Sequence, residues 1–351
     1  MPNPLVSICL PNLNTRSFLE ERMETILNQT CTDWEVIVCD SYSEDGAWEF
    51  FQKFKNDPRM RIYQVPRKGP YAGWNECLRR ARGRYCYIAT SDDAMVPDCI
   101  ERLMASLEAR TEVRIAVCDF QRTDEHGHPL NMDNFLPHQF LGEWMQIPSL
   151  RTGLTEFVLH AGFGSTIWFT MTSVLFRRDI LKQTGLFRTD LGSRADEEWT
   201  LRACLASDIA FVPGKLATWR VHPAQATGNW TNQKQAAKWL YESVAAVLRD
   251  RRAGIPEEWR RKPGLIEALG EARRVTLYKL FDLTRWDVQR DPLRFWKDFW
   301  SALRYAPGLI KRELKTGFRW EEEETYDRIA HVQKLLEWTG VPWPPKPWSA
   351  G

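Results

Sequence analysis

The sequence predicts an α/β protein with a mostly parallel sheet flanked by helices, followed by a helical C-terminal region. Strand-like and helix-like patterns alternate over the first 120 residues, which is typical of a doubly wound sheet. The strand-like segments are nearly continuous apolar runs, as in strands that are buried on both faces. The composition then changes, because ten of the 17 Trp residues follow residue 225.

Five segments carry the strand pattern in the first part of the chain. They are residues 5–10, 34–39, 61–65, 85–89 and 114–120. Each is short, rich in apolar or β-branched residues, and followed by polar or small residues. They predict the strands of one sheet.

Helical patterns lie between these strands. Ser17 and Glu20 form a capping-box sequence that predicts a helix over 17–29. Further helices are predicted over 48–55, 71–82 and 97–109. Gly83 would cap the C-terminus of the helix over 71–82, and Pro97 would lie in the first turn of the helix over 97–109.

The remaining segments predict two domains. Residues 121–170 are rich in His, Pro, Asn and Gly and are predicted to form an irregular binding loop. A strand is predicted at 172–177, and helices dominate from 230 to 338. We place the boundary at the composition change, which gives domains at 1–228 and 229–351.

Composition excludes several functional classes. A net charge of +2 lacks the basic field expected of a nucleic-acid-binding protein. No apolar run reaches the ~18–20 residues that span a bilayer. The start at Met1–Pro4 does not resemble a secretory signal, so we expect a cytoplasmic protein. The eight Cys residues lack metal-site spacing, and we expect no disulfides. Cys9, Cys39, Cys86 and Cys118 lie in apolar strand-like runs, where we expect them to be core residues.

Polar segments follow several predicted strands. Pro11 to Asn14 follows the first, Asp40 the second, and Ser91 to Asp93 the fourth. Because ligands bind at the carboxyl ends of parallel strands, we expect these segments to share one site. Asp92 and Asp93 supply hard oxygen ligands for Mg²⁺ or Mn²⁺. The alternative is ordinary acidity at a helix start.

Three later segments are also candidates for a site. Gly69 and the residues after it would let the backbone approach a ligand. Asp196 and Glu198 enter a helix, where a carboxylate could act as a general base or serve only as helix-start acidity. Arg220 could bind phosphate, and His222 could bind metal or phosphate or be structural.

In their fixed order, these segments resemble family 2 of the inverting glycosyltransferases, which have the GT-A fold. The resemblance covers roughly residues 4–228. It rests on six stretches: Ser7-Ile8-Cys9-Leu10-Pro11-Asn12-Leu13-Asn14, Asp40-Ser41-Tyr42-Ser43-Glu44-Asp45, Gly69-Pro70-Tyr71-Ala72-Gly73-Trp74-Asn75, Thr90-Ser91-Asp92-Asp93, Asp196 to Arg202, and Trp219-Arg220-Val221-His222-Pro223.

The resemblance implies a role for each candidate residue. Asp40 would contact the nucleobase, Asp92 would be the main ligand of Mn²⁺ or Mg²⁺, and Asp196 would be the catalytic base, with Glu198 in reserve. Asp93 and His222 would complete the metal ligands. The nucleotide-sugar site would comprise Pro11, Asn12, Asn14, Asp40, Gly69, Tyr71, Asn75, Ser91, Asp92 and Arg220.

The resemblance also implies the substrates. The donor would be a UDP-, dTDP- or GDP-sugar, and the acceptor a glycan or lipid-linked glycan of the cell surface. Thr90, Ser41 and Ala195 depart from the family pattern, which leaves one alternative: a catalytically impaired nucleotide-sugar-binding partner in a glycan-assembly complex.

One C-terminal helix has two interpretations. Trp296, Phe299, Trp300 and Leu303 recur at helical spacing, and Arg294, Lys297 and Arg304 flank them. Aromatic and basic residues on one helix are typical of peripheral membrane contact, here at the inner face of the membrane. The alternative is packing on the catalytic domain or in a dimer.

Overall fold

The protein is described from a computed structural model that covers residues 3–168, 170–225, 233–275, 291–305, 310 and 326–348. Within these residues, nine strands form one mixed sheet. The strands are β1 (Val6–Asn12), β2 (Trp34–Asp40), β3 (Met60–Gln64), β4 (Tyr85–Ile88), β5 (Ile115–Thr123), β6 (Ser149–Arg151), β7 (Val174–Arg177), β8 (Ile209–Arg220) and β9 (Lys346–Pro347).

The strand order is β3-β2-β1-β4-β7-β5-β8-β6-β9. β1 pairs in parallel with β2 and β4, and this register sets Asn12 beside Asp40. β7 runs antiparallel between β4 and β5. The predicted sheet with flanking helices is confirmed, although it is mixed.

The helices of the first part are α1 (Leu19–Leu27), α2 (Ala47–Gln52), α3 (Pro70–Arg80), α4 (Cys99–Glu108), α5 (Leu136–Leu141), α6 (Gly153–Phe163), α7 (Leu181–Thr184) and α8 (Ala195–Cys204). The predicted capping box at Ser17 does not form. A 3₁₀ turn at Arg16–Phe18 precedes α1 instead, Phe18 takes the N-cap position, and Glu20 pairs with Arg16.

The prediction that residues 121–170 form an irregular loop was wrong. The segment contains α5, β6 and α6. Thr152 caps α6 by accepting a hydrogen bond from the Thr155 N–H. Nearly every side chain of α6 is buried, and a helix buried on all sides lacks the amphipathic period from which helices are recognised.

The second part of the chain is helical where it is described. Its helices are α9 (Gln233–Arg249), α10 (Glu257–Arg261), α11 (Leu265–Leu269), α12 (Pro292–Tyr305) and α13 (Arg328–Thr339). α13 packs against α6, and α9 packs against α8. Val332 and Leu335 therefore join the same hydrophobic core as Phe157. The boundary predicted near 226–228 lies outside the described residues.

All eight Cys residues are free, and all but Cys31 are buried. The predicted burial of Cys9, Cys39, Cys86 and Cys118 is confirmed. Among the described residues, no helix combines the length and apolar composition required to cross a bilayer.

Gly153 fixes the distance between α6 and the end of α8. A Cβ atom at this position would lie 2.0 Å from the Cys204 carbonyl oxygen and 2.4 Å from that of Ser207. Because both obstacles are backbone atoms, we expect Gly153→Ala to lower the free energy of unfolding by about 1–3 kcal/mol or more. Urea unfolding of the whole chain measures it.

Gly73→Ala is the matched control for this substitution. Its Cβ would meet Pro11 and Ser41 at ordinary distances of 3.6 and 3.7 Å. Within helix α3, alanine is favoured over glycine by about 0.5–1 kcal/mol. If the two variants are equally stable, the close contact of Gly153 with the Cys204 and Ser207 carbonyl oxygens is contradicted.

Candidate active site

Two neighbouring cavities open along the carboxyl ends of β1 and β4 and share the Asp92 side chain. The first, the β1-side cavity, has a volume of about 380 Å³. Its lining comprises Pro11, Asn12, Leu13, Thr15, Ser41, Arg67, Gly69, Pro70, Gly73, Trp74, Thr90, Ser91, Asp92, His222, Ala224 and Gln225.

The second, the α8-side cavity, has a volume of about 410 Å³. It is lined by Pro70, Tyr71, Trp74, Thr90, Asp92, Asp93, Ser165, Thr166, Thr170, Met171, Ser193, Arg194, Asp196, Glu197, Trp219 and Gln225. A larger groove of about 720 Å³ between α5 and α13 contains none of the residues predicted for the site.

Asp92 and His222 lie together although 130 residues separate them. His222 Nε2 is 3.2 Å from Asp92 Oδ2. The His222 ring packs against Phe18 at 4.6 Å between centroids, and the His222 backbone N–H donates to Gln225 Oε1 at 2.9 Å. The Asp92 side chain retains 24% exposure, so its carboxylate can reach a molecule in either cavity.

Asp93, predicted to be a metal ligand, has both carboxylate oxygens engaged by protein groups. Its Oδ1 accepts the Arg220 backbone N–H at 2.8 Å. Its Oδ2 accepts the hydroxyls of Thr90 at 2.5 Å and Thr170 at 2.9 Å. Burial, and then the adjacent Asp92 charge, raise the pKa of Asp93 to about 6. With both oxygens engaged, Asp93 anchors β8 to the end of β4.

Arg220, predicted to bind phosphate, is engaged by protein groups. Its side chain is buried, and its Nε donates to the Asp92 carbonyl at 2.8 Å. Its terminal nitrogens donate to the Glu125 carbonyl at 3.0 Å and to Glu21 Oε2 at 2.5 Å. Because these partners occupy the guanidinium, Arg220 fixes the backbone of Asp92 and does not line either cavity.

Asp196 lies in the first turn of α8 and lines the α8-side cavity. Burial raises the pKa of Asp196 to about 6, and the neighbouring Glu197 carboxylate adds to the rise. A hydrogen bond with Tyr71 and the charge of Arg194 act in the opposite direction. A carboxylate with this pKa is ionised at neutral pH and is a stronger base than an exposed aspartate.

Glu198, the reserve candidate for the base, is not in the cavity. It is buried and forms a two-bond ion pair with Arg202, at 2.8 and 2.6 Å. Glu197, which the sequence did not single out, lines the cavity instead. Glu197 lies 2.9 Å from Arg194 and 3.8 Å from Arg273.

Asp40 and Asn14 lie behind the β1-side cavity. Asp40 is fully buried and accepts hydrogen bonds from Asn12 Nδ2 at 2.8 Å and from Ser43 Oγ at 2.6 Å. Asn14, at a left-handed φ of 53°, accepts the Glu44 N–H at 2.9 Å. Both residues hold the loop after β2 against the loop after β1, and their contact with a ligand stays a prediction.

Asn75 holds helix α3 against the segment that contains Phe187. It exchanges two hydrogen bonds with the backbone of Phe187, at 2.8 and 3.0 Å, and it lines neither cavity. Tyr71, one turn before it, lines the α8-side cavity, and its hydroxyl donates to the Ser193 carbonyl at 3.2 Å. Burial raises the pKa of Tyr71 well above its usual range, so the hydroxyl remains a donor.

Five residues that were predicted for the nucleotide-sugar site line the β1-side cavity: Pro11, Asn12, Gly69, Ser91 and Asp92.

The sequence missed Arg67 and Trp74. Arg67 donates to the Ser41 carbonyl at 2.9 Å and pairs with Glu44 at 2.9 Å. Trp74 lies one turn after Pro70 on α3 and lines both cavities. Helical periodicity could have found Trp74.

The sequence matches the family model described as glycosyl transferase family 2 over residues 7–185, just over half of the chain. It is similar to uncharacterized protein MT1568 of Mycobacterium tuberculosis, 28% identical over 62% of this chain and 67% of that protein. It is also similar to the putative teichuronic acid biosynthesis glycosyltransferase TuaG of Bacillus subtilis, 33% identical over 31% of this chain. That match covers 44% of TuaG, so the chain spans less than half of that relative.

Two solved structures have a similar fold. S. aureus TarS 1-349 in complex with UDP-GlcNAc has a TM-score of 0.64 at 14% identity, covering 96% of this chain and 93% of that one. Mannosyltransferase PcManGT from Pyrobaculum calidifontis in complex with GDP-Man and Mn²⁺ has a TM-score of 0.52 at 18% identity, covering 96% and 87%. These structures share the GT-A-like mixed sheet with flanking helices. The family match, which covers just over half of the chain, shows that the chain belongs to glycosyl transferase family 2.

Proposed function

We propose that the protein transfers a sugar from a nucleoside diphosphate donor to an acceptor hydroxyl, with inversion at the anomeric carbon. One observation carries the proposal: Asp92 joins two cavities, with His222 beside it in one and Asp196 in the other. The β1-side cavity would bind the nucleotide. The α8-side cavity would bind the acceptor, whose hydroxyl would then lie near the base Asp196.

The Asp92 and His222 side chains suit a divalent cation. A carboxylate oxygen and an imidazole nitrogen lie 3.2 Å apart on the cavity wall, and both atoms are ligands that Mn²⁺ accepts. In the described part of the chain, no group of three or more His, Cys, Asp or Glu side chains is placed so that it could hold a metal ion by itself. We therefore infer that diphosphate oxygens would complete the ligand set. Bound there, Mn²⁺ or Mg²⁺ would neutralise charge on the leaving diphosphate.

The residues of the chain account for the other parts of the reaction. The Asp196 carboxylate takes the proton of the acceptor hydroxyl, and the oxygen attacks the anomeric carbon. The bond from that carbon to the diphosphate oxygen breaks on the opposite face, which inverts the configuration. Arg220 keeps Asp92 in place throughout, since its Nε holds the Asp92 carbonyl.

We infer a role in the synthesis of cell-surface polysaccharide or a lipid-linked glycan, at the cytoplasmic face of the membrane. The similarity to TuaG, whose name refers to teichuronic acid biosynthesis, supports this role.

A thermal-shift screen of UDP-, dTDP- and GDP-sugars, each with and without Mn²⁺, tests the donor. A ligand at 100 times its Kd stabilises the folded chain by about 2.7 kcal/mol. We expect one donor class to raise the Tm, and to do so only with the metal. Failure of every nucleotide sugar to stabilise the chain would reject the proposal.

The rate of transfer should depend on pH through Asp196. Because the pKa of Asp196 is raised to about 6, the residue is a carboxylate above that pH and a neutral acid below it. Only the carboxylate accepts a proton, so kcat/KM for the acceptor should fall about tenfold for each pH unit below 6. The control is donor affinity over the same range, because the pKa of Asp93 also rises to about 6. A rate that stays level down to pH 4 would contradict the assignment.

A further inference from the structure

Helix α12 carries an exposed stripe of large apolar side chains. Leu293, Trp296 and Trp300 are 86%, 52% and 62% exposed. Phe299 is 8% exposed, and α12 packs against α9. The apolar face predicted from the sequence is therefore divided, because Phe299 is buried while both Trp side chains, which contact its ring, remain more than half exposed.

Two basic residues lie on the same side of the helix as the stripe. Lys297 and Arg304 are exposed. At about 100° per residue, the positions from Leu293 to Arg304 that carry these side chains fall within about 100° of the helix circumference. We name this set, Leu293, Trp296, Lys297, Trp300 and Arg304, the α12 stripe. None of these side chains is acidic.

The α12 stripe is connected to the α8-side cavity through a single helix. α9 contacts α12, α8 and the turn Gly192–Arg194. Trp239 of α9 packs so closely on Gly192 that a Cβ there would lie 2.2 Å from the indole ring. A surface that binds α12 would therefore be connected, through the packing of α9, to the wall of the α8-side cavity that carries Ser193 and Asp196.

We propose that the α12 stripe binds the surface of an anionic phospholipid membrane. Trp side chains favour the interface between headgroups and acyl chains, and a helix with this composition lies in the plane of that interface. The Lys297 and Arg304 charges complement anionic headgroups. In a two-fold contact between two copies, the Lys297 and Arg304 side chains of both copies would be brought together, and their like charges would repel each other.

The location of the stripe suits a lipid-linked acceptor, which would enter the α8-side cavity from the membrane surface. This connection to the acceptor rests on the proposed function. Membrane binding itself rests only on the α12 stripe, and it can be measured without sugar transfer.

Co-sedimentation of the full chain with vesicles tests the proposal. We expect binding to vesicles that mix phosphatidylcholine with phosphatidylglycerol, little binding to phosphatidylcholine alone, and weaker binding at high salt. Lys297→Glu with Arg304→Glu should reduce binding by about tenfold or more. Trp296→Ser with Trp300→Ser should reduce binding at every salt concentration, because it removes the inserted surface.

Matched controls are exposed residues of the same types elsewhere. Leu27→Ser on α1, where Leu27 is 38% exposed, and Lys182→Glu on α7, where Lys182 is exposed, should leave vesicle binding unchanged. Urea unfolding of each variant without donor shows that it is folded.

Three outcomes would overturn the proposal. They are absence of vesicle binding by the wild-type chain, equal binding by the stripe variants, and a concentration-dependent dimer that only the stripe variants lose. None of these outcomes bears on whether the chain transfers sugar.

Discussion

Asp196→Asn should lower kcat for sugar transfer by about 10²–10⁴-fold, the range for loss of a general base. Donor affinity should hardly change, because Asp196 lines the α8-side cavity and not the β1-side cavity. The remaining activity should also lose its dependence on pH near 6. Initial rates and donor binding, measured on the same preparations, separate these effects.

The Asn variant should be at least as stable as the wild-type chain at pH 7. A carboxylate whose folded-state pKa is raised above the unfolded value destabilises the fold once the pH exceeds the unfolded value. The pKa of Asp196 is raised in this way, and asparagine removes the penalty. Loss of activity could not then be attributed to unfolding.

Glu198→Gln is the matched control for the base. Glu198 is buried against Arg202 and does not line the cavity. We expect this variant to lose stability, because it leaves the guanidinium without its ionic partner, and to keep its activity per folded molecule. The reverse pattern, an active Asp196→Asn and a folded but inactive Glu198→Gln, would show that Glu198 is the base. A wild-type chain that binds donor without any turnover would instead favour the impaired binding partner.

Asp92→Ala should abolish the metal-dependent stabilisation by the donor. If the substitution weakens donor binding 100-fold, a donor at 100 times the wild-type Kd would stabilise the variant by only about 0.4 kcal/mol, compared with about 2.7 kcal/mol for the wild-type chain. Transfer should fall in parallel, because the leaving diphosphate loses its charge stabilisation. Thermal shifts with donor, Mn²⁺ and both together measure the change.

Asp98→Ala is the control for this second variant. Asp98 precedes α4, is half exposed and lies 3.8 Å from Arg102 in a surface ion pair. Exposed pairs of this kind contribute little to stability, so the Asp98 variant should respond to donor and metal like the wild-type chain. An Asp92→Ala chain that keeps the full metal-dependent shift would remove Asp92 from the metal site.

The outcome for α8 shows why residue types alone do not identify a site. Asp196, Glu197 and Glu198 are consecutive carboxylates in one helical turn. At about 100° per residue, Glu198 lies about 200° around the helix from Asp196. The cavity therefore receives the first two carboxylates, and the third is buried against Arg202. Only the rotation of α8 about its axis, which is set by packing, decides which of the three carboxylates faces the cavity.

Two elements, α6 and β8, were not predicted from the sequence, because each lacks the local signal from which such an element is recognised. α6 was not recognised because its side chains are buried on all sides, which removes the periodic signal. β8 was not predicted at all, and its pairing with β5 shifts register at Asp119. Its interior contains Pro213 and Gly214, residues that usually interrupt strands.

By itself, the sequence determined the alternating strands and helices, the family resemblance, and the two residues on which the proposed chemistry depends, Asp92 and Asp196. Apolar periodicity and local motifs carry that information. Only the tertiary structure decided which polar side chains face a cavity. Asp40, Asn75 and Arg220 have the chemistry of ligand-binding residues, but each finds partners from distant segments that take up its hydrogen-bonding groups. Such competition between protein partners and a ligand is settled by three-dimensional packing, which no local motif encodes.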